Sequence, residues 1–180
     1  YTLLGMTGIN IFLFAFIWYN AMYTPLKKKS ALAVVPGAIL GVIPPAIGWL
    51  VAGNSLMELE FIALALYFFI WQVPHFWLLV MLFHGDYKDG GYPTAMRLFG
   101  QASLQRLTFV WLVFTIQAGI FLVSVFEPYT TTMVLAILVG IFAFISSLEL
   151  LSEKFELTNA RSVFWKINAS FLAIIILLSI

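Results

Sequence analysis

Residues Tyr23-Thr24-Pro25-Leu26-Lys27 place a phenol and an ammonium four positions apart. On a continuous helix that spacing puts both on one face, although Pro25 leaves the continuity open. A lysine is a compact point charge suited to holding a phosphorylated ligand. The plainer alternative is an interfacial tyrosine followed by lysines that orient the chain in a bilayer. A second stretch, Asp86-Tyr87-Lys88-Asp89-Gly90-Gly91-Tyr92-Pro93, sets two carboxylates three residues apart among turn formers. Mg²⁺ takes one or two carboxylates together with waters and phosphate oxygens. Asp86 and Asp89 are therefore candidate ligands, Asp86 the better one because it stands nearer the preceding helix; a solvated turn would use the same residue types. The third stretch is Trp71-Gln72-Val73-Pro74-His75-Phe76-Trp77. Trp71 and His75 are four apart and Gln72 and His75 three apart, so the spacing predicts one broad face carrying all three. An aromatic pocket with a histidine and a glutamine suits a large planar ligand; hydrogen bonds that hold helices together are the alternative.

These groups sit in a chain of 180 residues that is 63% hydrophobic and only 9% charged, with a mean hydropathy of +1.03. Soluble domains have about 25% charged residues, so this composition belongs to an integral membrane protein. A net charge of +1 points to no nucleic-acid partner, and the absence of cysteine excludes thiolate metal sites and disulfides. Six apolar stretches, near 3–24, 31–52, 59–83, 104–126, 129–151 and 162–180, reach the roughly 20 residues a spanning helix needs. Lipid leaves backbone groups no external partner, so the spans are helices and the fold class is all-α: a polytopic membrane bundle forming one domain over residues 1–180. Pro74 and the pair Pro44-Pro45 fall inside spans and predict kinks.

With six spans the connections alternate between two sides. All nine Lys and Arg residues lie on or beside the side holding 25–30, 84–103 and 152–161, whereas the other side holds Glu58, Glu60 and Glu127. The positive-inside rule makes the basic side cytoplasmic; a bacterial inner membrane is the expected location. His75, eleven residues before Asp86, then stands roughly 16 Å deeper along a helix at 1.5 Å per residue. Polar side chains at that depth face a cavity or the bundle interior. In Pro36-Gly37-Ala38-Ile39-Leu40-Gly41, the two glycines form a small-residue face that lets a neighbour approach closely. Gln105, Gln117, Glu149 and Asn168 suggest only packing or hydration: Glu149 a hydrated helix end, Asn168 a packing hydrogen bond. The chain starts at Tyr1 directly in an apolar run, which suggests a longer protein entered partway.

Taken in order, YTPLKKKS, PGAILGVIPPAIGW and IWQVPHFWLLVMLFHGDYKDGGYP resemble the heme-modifying branch of the UbiA-type intramembrane prenyltransferases. The resemblance runs over nearly the whole chain. It implies six of that family's nine helices, with the first three and their acidic motif absent. It further implies transfer of a farnesyl group from farnesyl diphosphate to a vinyl group of heme B, with Mg²⁺ as cofactor. Lys27, with Tyr23 beside it, would clamp the diphosphate, aided by Lys28 and Arg97; Asp86 would be the acidic member of the second loop. His75, Trp71 and Gln72 would line the heme side. Heme A synthase and terminal-oxidase assembly factors are the implied protein partners. Asp89 stands where the family does not reliably place an acid, and His84-Gly85 where relatives often carry basic residues. Lacking half of the metal site, the 180 residues alone are expected to be inactive. A prenyltransferase acting on a quinone precursor is the first rival; its second acidic loop would carry Asp-x-x-x-Asp where this chain has Asp-x-x-Asp. A transporter or heme-handling scaffold with kinked helices is the second.

Overall fold

The computed structural model describes residues 5–126, 129–152 and 154–179. Tyr1 and Glu127 lie outside them. Six helices are long and apolar enough to span a membrane: α1 (Gly5–Lys27), α2 (Val34–Val51), α3 (Leu59–Leu82), α6 (Gln101–Phe126), α7 (Thr130–Leu151) and α8 (Leu157–Leu177). Between α3 and α6 lie two short helices, α4 (His84–Asp89) and α5 (Ala95–Phe99). No strand occurs among the described residues. The chain is thus an all-helical polytopic membrane protein, as its composition requires.

Two boundaries differ from expectation for identifiable reasons. Residues 84–89 form a helical turn, not an open loop, because only at Gly91, with φ +70°, does the backbone take a conformation that favours glycine. The last helix starts five residues before the expected 162. A reciprocal cap holds that start: the Glu156 side chain accepts from the third helical residue, and the Asn159 side chain accepts from the Glu156 N–H. The polar stretch Thr158–Ser162 conceals this turn from an apolarity reading.

The prolines act in three ways. In α1, residues Trp18–Tyr23 form a π-helical turn in which the Thr24 N–H reaches back five residues to the Tyr19 carbonyl. The wide turn carries the helix into Thr24–Lys27 with Pro25 in its first turn, so α1 stays continuous. In α2, a 3₁₀ stretch at Ala38–Val42 gives way to Ile43–Val51, which has Pro44 and Pro45 at its start, where a missing N–H costs little. The helix α3 runs unbroken through Pro74, which is buried.

Helix α3 is the hub: it packs on α2, α6 and α8, while α7 packs on α6 and α8. One apolar cluster joins α3 to α6, α7 and α8 through Tyr67, Leu122, Ala136 and Ile174. A second joins α3 to α2 and to the basic side through Ala38, Val73, Trp77, Met81 and Leu104. In contrast, Gly5–Ile17 of α1 has no buried residue, and the Trp18 indole N–H, donating to the Pro36 carbonyl at 2.8 Å, anchors this helix to α2. Near the basic end, Lys166 of α8 donates to the Glu149 carboxylate of α7, with both side chains partly enclosed. The expected hydrated Glu149 is instead an ion-pair partner.

Candidate active site

The unbroken α1 answers the question Pro25 posed. Tyr23 and Lys27 share a face, and the Lys27 Nζ stands 5.6 Å from the centre of the Tyr23 ring, within cation–π range. Both line a cavity of about 280 Å³ that opens between α1, α2, α3 and the α4–α5 segment. Its polar lining adds Ser30, Tyr87, Tyr92 and Thr94, and Phe76, Trp77 and Val80 of α3 form an apolar wall. Among the described residues the Lys27 ammonium has no carboxylate partner. The cavity therefore offers an unpaired cation and several hydroxyls backed by aromatic surface. That combination suits a ligand with an anionic head and an apolar body.

The Tyr23 position depends on Gly37. A Cβ there would lie 2.7 Å from Tyr23 Cε2 and 2.8 Å from Cδ2, and a ring cannot yield as a flexible chain end does. At Gly41 the corresponding neighbour is the Gln72 Oε1, at 2.7 Å. The two glycines thus serve two different helices, one admitting α1 and the other α3. Gly37→Ala should cost about 1–3 kcal/mol by overpacking and displace the Tyr23 ring from the cavity. Gly41→Ala should do less, because an amide end can rotate away. Thermal midpoints for the two variants check this order.

Gln72 leaves the face it was assigned. It turns toward Gly41 on α2, whereas Trp71 and His75 turn toward α8. Positions 71 and 72 are about 100° apart on a helix, wide enough for separate neighbours to claim them. The Trp71 ring stacks on Phe171 at 4.0 Å between centroids, and the His75 ring lies 4.6 Å from Trp71 and 5.1 Å from Phe164. The His75 Nδ1 is 2.9 Å from the Asn168 Oδ1. The Trp71 indole N–H is enclosed without a partner among the described residues. Asn168, read from the sequence as a packing hydrogen bond, makes one here, and Phe164 and Phe171, which the sequence did not single out, complete this group.

The basic and acidic candidates scatter. Arg97 is not in the Lys27 cavity. It lines a separate one of about 300 Å³ with His84, Lys88 and Thr94, and Tyr92 and Thr94 form a wall common to both. Lys28 caps α1 and points to the exterior. Asp86 and Asp89 lie one helical turn apart on α4, both exposed, while the intervening Tyr87 faces the cavity. Among the described residues no three His, Cys, Asp or Glu side chains converge on a metal-sized site. Ser30, Tyr87, Tyr92 and Thr94 were missed; Thr94 is buried and caps α5 by accepting from the Arg97 N–H at 3.2 Å.

Comparison with known proteins matches the UbiA prenyltransferase family over residues 2–172. The chain belongs to this family. A protein of Geobacter sulfurreducens called protoheme IX farnesyltransferase is 48% identical over 79 residues, which are 44% of this chain and 29% of that protein. The protein of the same name in Oleidesulfovibrio alaskensis is 43% identical over 75 residues, 42% of this chain and 27% of that one. Protoheme IX farnesyltransferase 2 of Mesorhizobium japonicum is 34% identical over 119 residues, 66% of this chain and 38% of that one. The matched stretch therefore takes in well under two thirds of each relative's length. No solved structure matches the chain. In this UbiA chain, the cationic cavity and the Trp71–His75 cluster lie on different faces of α3.

Proposed function

We propose that this chain forms part of a prenyltransferase that moves a farnesyl group from farnesyl diphosphate to a vinyl group of heme B, giving heme O. The observation that carries the reading is the Lys27–Tyr23 pair at a cavity walled by Phe76, Trp77 and Val80. The diphosphate binds at the cation and the prenyl chain along the aromatic wall. The names of the relatives support heme B as the acceptor. All Lys and Arg residues lie on or beside one side, which orients the cavity mouth toward the cytoplasm of a bacterial cell.

In the reaction the allylic C–O bond breaks and its electron pair leaves with the diphosphate. The vinyl π pair forms the new C–C bond, and the resulting cation takes up water and releases a proton. Lys27 stabilises the negative charge that develops on the leaving group, an electrostatic contribution at a fixed position. Aromatic walls keep water from the cation until the new bond has formed. Asp86 and Asp89 are hard oxygen donors of the kind Mg²⁺ takes and would hold it from one turn of α4, beside Tyr87 of the cavity lining and not within that lining themselves. When bound, that ion supplies further positive charge at the diphosphate.

Radiolabel transfer from farnesyl diphosphate to heme B by the full-length protein tests the proposal; transfer to a quinone precursor instead would replace it. In the same assay Asp86→Ala should lower turnover at least about 10-fold and shift its Mg²⁺ dependence to higher concentration, in line with losing one of few metal ligands. Unchanged Mg²⁺ dependence would remove Asp86 from the metal site.

A further inference from the structure

The Asn168 amide makes two hydrogen bonds that together determine the state of another side chain. Its Nδ2 lies 2.6 Å from the Phe164 carbonyl. A carbonyl only accepts, so the amide nitrogen must face it. The Asn168 Oδ1 is then the atom 2.9 Å from His75 Nδ1. An amide oxygen also only accepts, so His75 Nδ1 must carry the proton. In a neutral imidazole the other nitrogen, Nε2, is then a lone pair. Nε2 makes no hydrogen bond among the described residues and is not enclosed, unlike the indole nitrogens of Trp71 and Trp77. Ring orientation is held as well: Trp71 and Phe164 pack against the imidazole at 4.6 and 5.1 Å, and Phe171 backs Trp71.

We infer that Asn168 is a positioning residue that holds His75 as its Nδ1–H tautomer and so presents the Nε2 lone pair to an electron-pair acceptor bound beside Trp71. The acceptor class is the iron of a planar tetrapyrrole, and this part rests on the proposed heme B substrate. A hydrogen bond to the far nitrogen both orients a ligating histidine and raises its basicity, and losing such a partner typically costs 10–100-fold in metal affinity. Asn168 and His75 are 93 residues apart, on α8 and α3, so the tautomer is set only when those helices pack.

The test uses full-length protein with ¹⁵N-labelled histidine, the His75 signals being assigned by their loss in His75→Gln. The wild type is expected to show the Nδ1–H tautomer. Asn168→Leu should give a mixture of tautomers and about 10-fold weaker heme B binding, read from the heme absorption bands, whereas Asn168→Asp, which keeps an acceptor, should restore the wild-type tautomer. Farnesyl diphosphate binding, measured alongside, shows that each variant is folded. An Nε2–H or doubly protonated ring in the wild type overturns the inference, as does an unchanged tautomer in Asn168→Leu. His75→Ala with undiminished heme B affinity overturns the heme reading instead, and leaves the tautomer result to stand for Asn168 on its own.

Discussion

Lys27→Ala in the full-length protein is expected to lower the proposed farnesyl transfer by about 10²–10³-fold, the loss typical of removing one preorganised group at developing negative charge. The argument is one of position. The ammonium stands 5.6 Å from the Tyr23 ring centre, at the lining of a cavity with Ser30, Tyr87 and Thr94, and no carboxylate neutralises it among the described residues. Charge on the diphosphate grows as the C–O bond breaks, so kcat should fall more than KM rises. Lys27→Arg should recover part of the rate, since it keeps the charge but spreads it over a larger planar group. Steady-state transfer of label to heme B measures both. A fall of less than about threefold in Lys27→Ala would remove Lys27 from the reaction.

The second large effect concerns stability. Lys166 and Glu149 pair between α8 and α7, each side chain partly enclosed in a bundle whose surroundings are apolar. Replacing Lys166 by Met leaves the Glu149 carboxylate without its partner near the end of α7, and a partly enclosed polar group left unpaired costs about 1–3 kcal/mol. Lys166→Met should therefore lower the thermal midpoint of the detergent-solubilised protein clearly. Replacing both partners, Lys166→Met with Glu149→Leu, should restore most of it, because removing a whole pair is often neutral or stabilising. The expected signature is strong non-additivity in the double-mutant cycle. Additive losses would mean that the two charges act separately.

Local spacing carried much of this architecture and only part of the site. Runs of apolar residues have to be helices in lipid, so all six spans were legible to within a few residues. Tyr23 and Lys27 were legible as well, because a four-residue separation within one helix needs no partner to be meaningful. Gln72 was not, since periodicity gives an angle on a helix without naming the neighbour that occupies it; Gly41 claims that side chain. Arg97 lies in the connection read as one segment over 84–103, whereas α4 and α5 divide that segment between two cavities. The His75–Asn168 and Lys166–Glu149 pairs are created by helix packing. Nothing within either partner's own helix announces the other. Tyr87 and Tyr92 were passed over because the carboxylates beside them were the candidate ligands of that stretch, and only the fold turns the two rings into the cavity.

The π turn at Trp18–Tyr23 has a consequence for how the gene can vary. A turn whose N–H groups reach five residues back holds one residue more than an α-turn does. A one-codon deletion inside it would let the turn close in ordinary α register while Trp18 still meets Pro36 and Lys27 still faces its cavity. The same deletion between Thr24 and Lys27 has no slack to absorb it and would swing the lysine about 100° off the cavity. Within a few codons, α1 thus contains both a place where its reading frame can shorten quietly and a place where it cannot.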